Sequence, residues 1–222
     1  MDLTVDLETG RTACAESIEA FLRAVDDLSE HDLLAPSRCH GWTLLDVVVH
    51  VIAGWQEMLG GLVSPIESEP TVDAATYWPA FAEQYASNDP IPALMSQRRR
   101  TAAFARPSSA TAQLRDVGAA LLRGVSRCAE GRYLWDTHVF AAGDFLAVWA
   151  VEGVVHHLDL DLDGGEPAPG AALRIARTSI ESLVGESLPG QWPDVEAVLI
   201  GTGRCPVPAG LGVLTDRLPA LG

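Results

Sequence analysis

The sequence predicts a mainly α protein, a four-helix bundle over residues 1–163 followed by a small C-terminal α/β appendage over residues 164–222. Three observations carry this reading. Stretches at 9–28, 44–62, 109–130 and 144–162 are long and carry apolar residues at helical spacing or throughout. The segment "DGGEPAPG" (163–170) interrupts them with Gly and Pro, which marks a turn or linker. Beyond it, a helix at 170–186 precedes the short apolar run "VEAVLIG" (195–201), which reads as a strand ended by "TGRCPVPAG".

Each element has a local reason. In 9–28, Ala13, Ile18, Phe21, Leu22, Val25 and Leu28 form an apolar stripe. "APSRCHGW" (35–42) is a loop by its Pro, Ser and Gly content. Thr43 then starts a helix, three residues before Asp46, in the spacing of a capping box. Residues 64–91 form a long connection rich in Pro, Asp, Glu and Ser, with "TYWPAFAEQYA" as a short helical insert. Long connections of this kind often wall a functional site. A further helix covers 91–105, and 131–143 reads as a connection into the helix at 144–162.

Composition narrows the function classes. The chain of 222 residues has 48% hydrophobic residues, enough for one sizeable core. Its formal charge of −15 disfavours nucleic acid, and the only locally basic run, "RRR" at 98–100, reads as a solvated helix face. There is no lysine, which excludes Schiff-base chemistry and a P-loop lysine. No apolar run is long enough to cross a membrane, and "MDLTVDLETG" lacks the features of a signal peptide, so a cytoplasmic protein is expected. Cys14, Cys39, Cys128 and Cys205 are widely spaced and form no C-x-x-C, which argues against a disulfide framework or a thiolate zinc site. Cys39, in a loop just before a helix, is a place where a thiol pKa can fall, though a bystander thiol is the plainer reading.

The polar residues of "VEGVVHHLDL" (151–160) stand out. With about 100° per residue, His156 falls about 40° from Glu152 and Asp159 about 20° to the other side. Phe145, Val148, Trp149 and Val155 share the same arc, so a carboxylate and an imidazole lie on an apolar face. An ionised carboxylate buried there needs a partner: an arginine, a protonated histidine or a metal. Glu and His at i and i+4 can converge on one divalent ion. A buried Glu–His⁺ pair is the competing reading. His50 is the best third ligand, with small Ala53 and Gly54 leaving room beside it, and His40 and His138 are alternatives. His157 points about 100° away from His156. Three protein ligands, His50, Glu152 and His156, leave one position of a tetrahedral zinc open, the pattern of a catalytic site. Asp159 is spaced to hold an imidazole N–H behind the metal.

Three segments carry a resemblance: "SRCHGWTLLDVVVHVIAGW" (37–55), "VEGVVHHLDL" (151–160) and "AVLIGTGRCPVPAGLGVLTDRLPALG" (197–222). Together they resemble mycothiol-dependent maleylpyruvate isomerase-like proteins of the DinB-like superfamily. The resemblance implies a four-helix bundle with a small α/β domain, and zinc held at the positions of His50, Glu152 and His156. It also implies a C-terminal arginine that binds the substrate, for which Arg204 is the nearest candidate, and mycothiol as thiol cosubstrate. Where the family has proline before Gly-Trp, this chain has His40, and 64–143 matches no functional motif.

The implied function is a zinc-dependent thiol transferase or cis-trans isomerase, in which a metal-bound low-molecular-weight thiol attacks a small electrophile. Arginine suits an anionic substrate because its planar fork pairs with a carboxylate bidentately. Two rivals use the same residues: a hydrolase with a metal-activated water, and a non-catalytic metal- or ligand-binding bundle. The expected partners are therefore small molecules, with no nucleic acid or membrane, in a monomer or homodimer.

Overall fold

The computed structural model describes residues 3–85 and 89–221, with the backbone alone at Tyr85. Four helices form the bundle: α1 (Leu7–Asp26), α2 (Leu44–Leu62), α5 (Pro107–Arg127) and α6 (Ala142–Asp159). α1 lies between α5 and α6, and α2 closes the ring by touching both. Two shorter helices, α3 (Tyr77–Tyr85) and α4 (Ile91–Ala102), fall in the long connection, and α4 leans on α2.

Caps fix the two helices that matter most for register. The Asp6 side chain accepts from Thr9 N at 2.9 Å and starts α1. Thr43 and Asp46 form the expected capping box at the start of α2. Asp46 does more than cap: its Oδ1 accepts from Thr101 Oγ1 at 2.6 Å, and its backbone carbonyl accepts from Gln97 at 2.9 Å. The beginning of α2 and the end of α4 are thus tied by buried polar contacts.

α6 is the central helix. Every residue from Ala142 to Val151 is buried, so it has no water-facing side along that stretch. At Gly153 a Cβ would overlap the Ser17 hydroxyl, so glycine is what lets α1 approach α6 closely at the turn that carries Glu152.

The stretch 131–143, read from sequence as a plain connection, contains the described β-structure. Strand β1 (Arg132–Trp135) pairs antiparallel with β2 (His138–Ala141), with Arg132 opposite Ala141 and Trp135 opposite His138. Asp136 takes the left-handed conformation at the turn, with φ of 53°. The alternation of Tyr133, Trp135, Val139 and Ala141 with their neighbours was the available signal, but "DT" is a weak hairpin turn.

The tail differs from the expected α/β appendage. Residues 195–201 are helical, within α8 (Asp194–Gly201), and no strand occurs beyond Ala141 among the described residues. Ala197, Val198, Ile200 and Gly201 are buried, a helical spacing and not an alternating one. Pro193 precedes the helix, and Asp194 and Glu196 sit in its first turn, where acids complement the helix dipole. α8 packs on α7 (Gly170–Val184), and a Cβ at Gly201 would overlap Ile180. α7 in turn lies against α6 and α1, and a last short helical turn, α9 (Leu214–Arg217), follows. The mainly helical class and the bundle stand as the sequence predicts.

Candidate metal centre

The polar cluster forms where the last turns of α6 face the middle of α2. His156 Nδ1 lies 3.1 Å from Asp159 Oδ2, and His156 Nε2 lies 3.2 Å from Glu152 Oε2. The ring is therefore held between two carboxylates of its own helix, one turn to either side, as i, i+3 and i, i+4 spacing allows. His50, from α2, meets it edge to face with ring centroids 4.6 Å apart. Trp42 packs against the other side of His50 at 5.2 Å.

Asp159 is fully buried, and a charge there needs compensation. Arg204 supplies it from beyond α8, with Nε 3.1 Å from Oδ1 and Nη2 3.2 Å from Oδ2. Its remaining donor, Nη1, bonds the Thr202 carbonyl at 2.9 Å. The fork is thus spent on structure: Arg204 fixes Asp159, and Asp159 fixes His156.

The electrostatics follow from this chain of contacts. Burial opposes a charged His156, but its hydrogen bonds to Asp159 and Glu152 outweigh burial and raise it to about 9. Burial would raise Glu152 and Asp159, yet the same imidazole, with Arg204 helping at Asp159, holds both below their ordinary values. His50 is pushed down to about 4, first by burial and then by the neighbouring positive His156, so it is a neutral imidazole with a lone pair to give. Cys39 does not become a reactive thiol: burial, and then the charge of Asp159, push it up to about 12.

Glu152, His50 and His156 line one cavity of about 110 Å³, roomy enough for several waters or a small organic molecule. Its walls are aromatic. Trp149 and Trp135 have centroids 4.7 Å apart, Tyr77 stands 5.3 Å from Trp135, and Phe81 5.6 Å from Tyr77. Ala53 and Gly54 also line it, and a Cβ at Gly54 would come within 3.2 Å of the Trp149 ring. Glu57 and Arg100 complete the lining, with Glu57 raised above its ordinary value by burial.

The predicted residues thus divide into two groups. His50, Glu152, His156 and Asp159 come together, with Arg204 behind them. His157 turns away as its angle implies, its Nε2 bonded to the Glu166 carbonyl at 2.8 Å. His40 is exposed in the loop before α2, and His138 packs on Tyr77, and neither lines the cavity. Tyr77 and Phe81 come from the 64–91 connection that the sequence marks as a wall of the site, whereas Arg100 and Trp135 were not legible. Gln97 and Thr101 anchor α4 to α2 and so bring Arg100, one residue before Thr101, to the cavity, but nothing in "RRR" distinguishes it from its neighbours.

Among the described residues, no group of three or more His, Cys, Asp or Glu side chains already stands in the arrangement of a metal site. Glu152 and His156, two of the candidate donors, are hydrogen-bonded to each other at 3.2 Å.

Comparison with known proteins bears on this geometry. The profile of the mycothiol maleylpyruvate isomerase N-terminal domain family matches residues 14–161, and the chain belongs to that family. No curated protein matches it. Among solved structures, the fold is similar to a mycothiol-dependent maleylpyruvate isomerase, with a TM-score of 0.62 and 15% sequence identity over 90% of both chains. A histidine-to-alanine variant of that isomerase is similar as well, with a TM-score of 0.58 and 16% identity over 90% of both chains.

Proposed function

We propose that the chain is a metal-dependent enzyme of thiol chemistry. In this reading His50, Glu152 and His156 hold zinc or a similar divalent ion, and mycothiol is the thiol that attacks a small electrophile. The observation that carries it is the clamp on His156. Asp159 takes Nδ1, so Nε2 is directed toward Glu152, beside the neutral His50 and inside an aromatic-walled cavity. A carboxylate on the far nitrogen is the usual support of a metal-binding histidine.

The charges fit a cation. Glu152 and Asp159 are both held as anions, Arg204 answers one of them, and His50 is neutral. The cluster therefore needs one more positive charge, which the protonated His156 supplies when no metal does. Two imidazoles and a carboxylate are a donor set suited to zinc, and binding would release the His156 proton.

A divalent ion bound there would lower the pKa of a thiol brought to it. The chain's own residues do the rest. Asp159 and Arg204 keep the His156 ring from rotating. Trp135, Trp149 and Tyr77 give the cavity apolar walls, beside which charge interactions are stronger than in open water. Cis-trans isomerisation and thiol transfer both use this arrangement. The four cysteines are free, as in a reducing cytoplasm, where a low-molecular-weight thiol is available.

Elemental analysis of the purified protein tests the reading. About one zinc or similar ion per chain is expected, and its loss in His156→Ala and His50→Ala. Wild-type protein that takes up no divalent ion would overturn it. Turnover of an electrophile that is indifferent to added thiol would favour a hydrolase in the same cavity.

A further inference from the structure

We propose that the molecule bound in the cavity beside the thiol is a flat aromatic compound with one acidic group, which pairs with Arg100. The inference rests on the thiol-enzyme reading for what happens to that molecule, but the recognition stands on the cavity itself.

The cavity brings together groups of different chemistry. His50, Glu152 and His156 line it. So does Arg100, which is exposed and is the one arginine among the described residues that lines this cavity; it also borders a neighbouring space lined by Val49, Gln56 and Phe104. Five aromatic side chains, Trp55, Tyr77, Phe81, Trp135 and Trp149, share the lining. Rings of this kind offer their faces and edges to another flat ring and give little to a small aliphatic acid.

The Arg100 guanidinium makes no hydrogen bond or salt bridge among the described residues, although its charge is felt by Glu57 and His50. Its neighbour Arg98 is occupied, donating to the Gly41 carbonyl at 2.8 Å. Arg204, the sequence-based candidate for an anion, is bound to Asp159 and does not line the cavity. An anion entering here therefore finds its guanidinium on α4. Glu57 and Glu152 line the same space, so a second acidic group on the ligand would meet a carboxylate.

Binding calorimetry with cinnamate, its neutral amide cinnamamide, and the small aliphatic dianion maleate tests this. Proteins compared are the wild type, Arg100→Gln, the neighbouring control Arg99→Gln, and His156→Ala, with metal content measured on each preparation. Cinnamate is expected to bind the wild type about 2- to 5-fold more tightly than cinnamamide, the range of one ion pair at an exposed arginine. Arg100→Gln should remove that difference while leaving cinnamamide unchanged, and Arg99→Gln should behave as wild type. His156→Ala should still bind cinnamate. Maleate binding more tightly than cinnamate, equal binding of acid and amide, or no effect of Arg100→Gln would overturn the proposal. A metal-free wild type that still separates acid from amide would instead count against the thiol-enzyme reading alone.

Discussion

His156 depends on residues that do not touch its Nε2. Asp159 holds Nδ1, and Arg204 holds Asp159, although 45 residues separate that pair in sequence. Asp159→Asn keeps the size of the side chain and removes its charge, leaving Arg204 with a buried charge unanswered. Metal affinity should fall about 10- to 100-fold, as for other supports of a liganding histidine. The protein should also melt at a lower temperature, and metal titration with thermal unfolding of the same sample reads both. Unchanged affinity would show that Asp159 does not orient the ring. At this scale the sequence was informative within one helix. The angular positions of Glu152, His156 and Asp159 follow from 3.6-residue periodicity, and so does the turn of the buried His157 away from them. The partner of Asp159 was not legible, because no local pattern encodes a contact between α6 and the segment after α8. Cys39 is the bystander thiol that the plainer reading of its loop expects, because burial and then Asp159 raise it, though neither is encoded locally.

Among the elements, α6 combines burial and function. Its first turn carries Asp144, which is buried and accepts from the Val5 amide at 2.7 Å, joining α6 to the start of α1. Burial, with the nearby Asp73 charge adding to it, raises Asp144 to about 6 despite the Val5 hydrogen bond. A raised carboxyl pKa means that the folded state prefers the protonated form. Its contribution to stability is present below the ordinary value near 3.8 and is lost as pH climbs through about 6. Asp144→Asn keeps an acceptor for Val5 and cannot ionise. Its melting temperature relative to wild type should therefore rise between pH 4 and pH 7, as followed by circular dichroism; a difference independent of pH would contradict this. The long helices were legible because a 3.6-residue stripe or an all-apolar run of that length has few other solutions. The apolar run at 195–201 was not, since seven residues suit a strand or a helix equally. Packing against Ile180 decided for the helix. The hairpin at 132–141 carries no strong local signal, because its turn lacks the Asn-Gly or Asp-Gly signature.

Over the whole molecule, the bundle brings the cluster on α6 to His50 on α2 and closes the space with α3, α4 and the hairpin. No described helix is long and apolar enough to cross a membrane. A surface of charge −15 makes Arg100 and Arg204 local exceptions, each placed by tertiary contacts. The central claim is that His50, Glu152 and His156 hold a metal with a place left for a thiol. The most direct measurement is the absorption spectrum of the protein loaded with cobalt in place of zinc, recorded before and after addition of mycothiol. The spectrum should show one bound cobalt in low-coordinate geometry, a new sulfur-to-cobalt band when the thiol is added, and neither feature in His156→Ala. Cobalt that binds equally well to His156→Ala, or a wild-type spectrum that ignores the thiol, would contradict it.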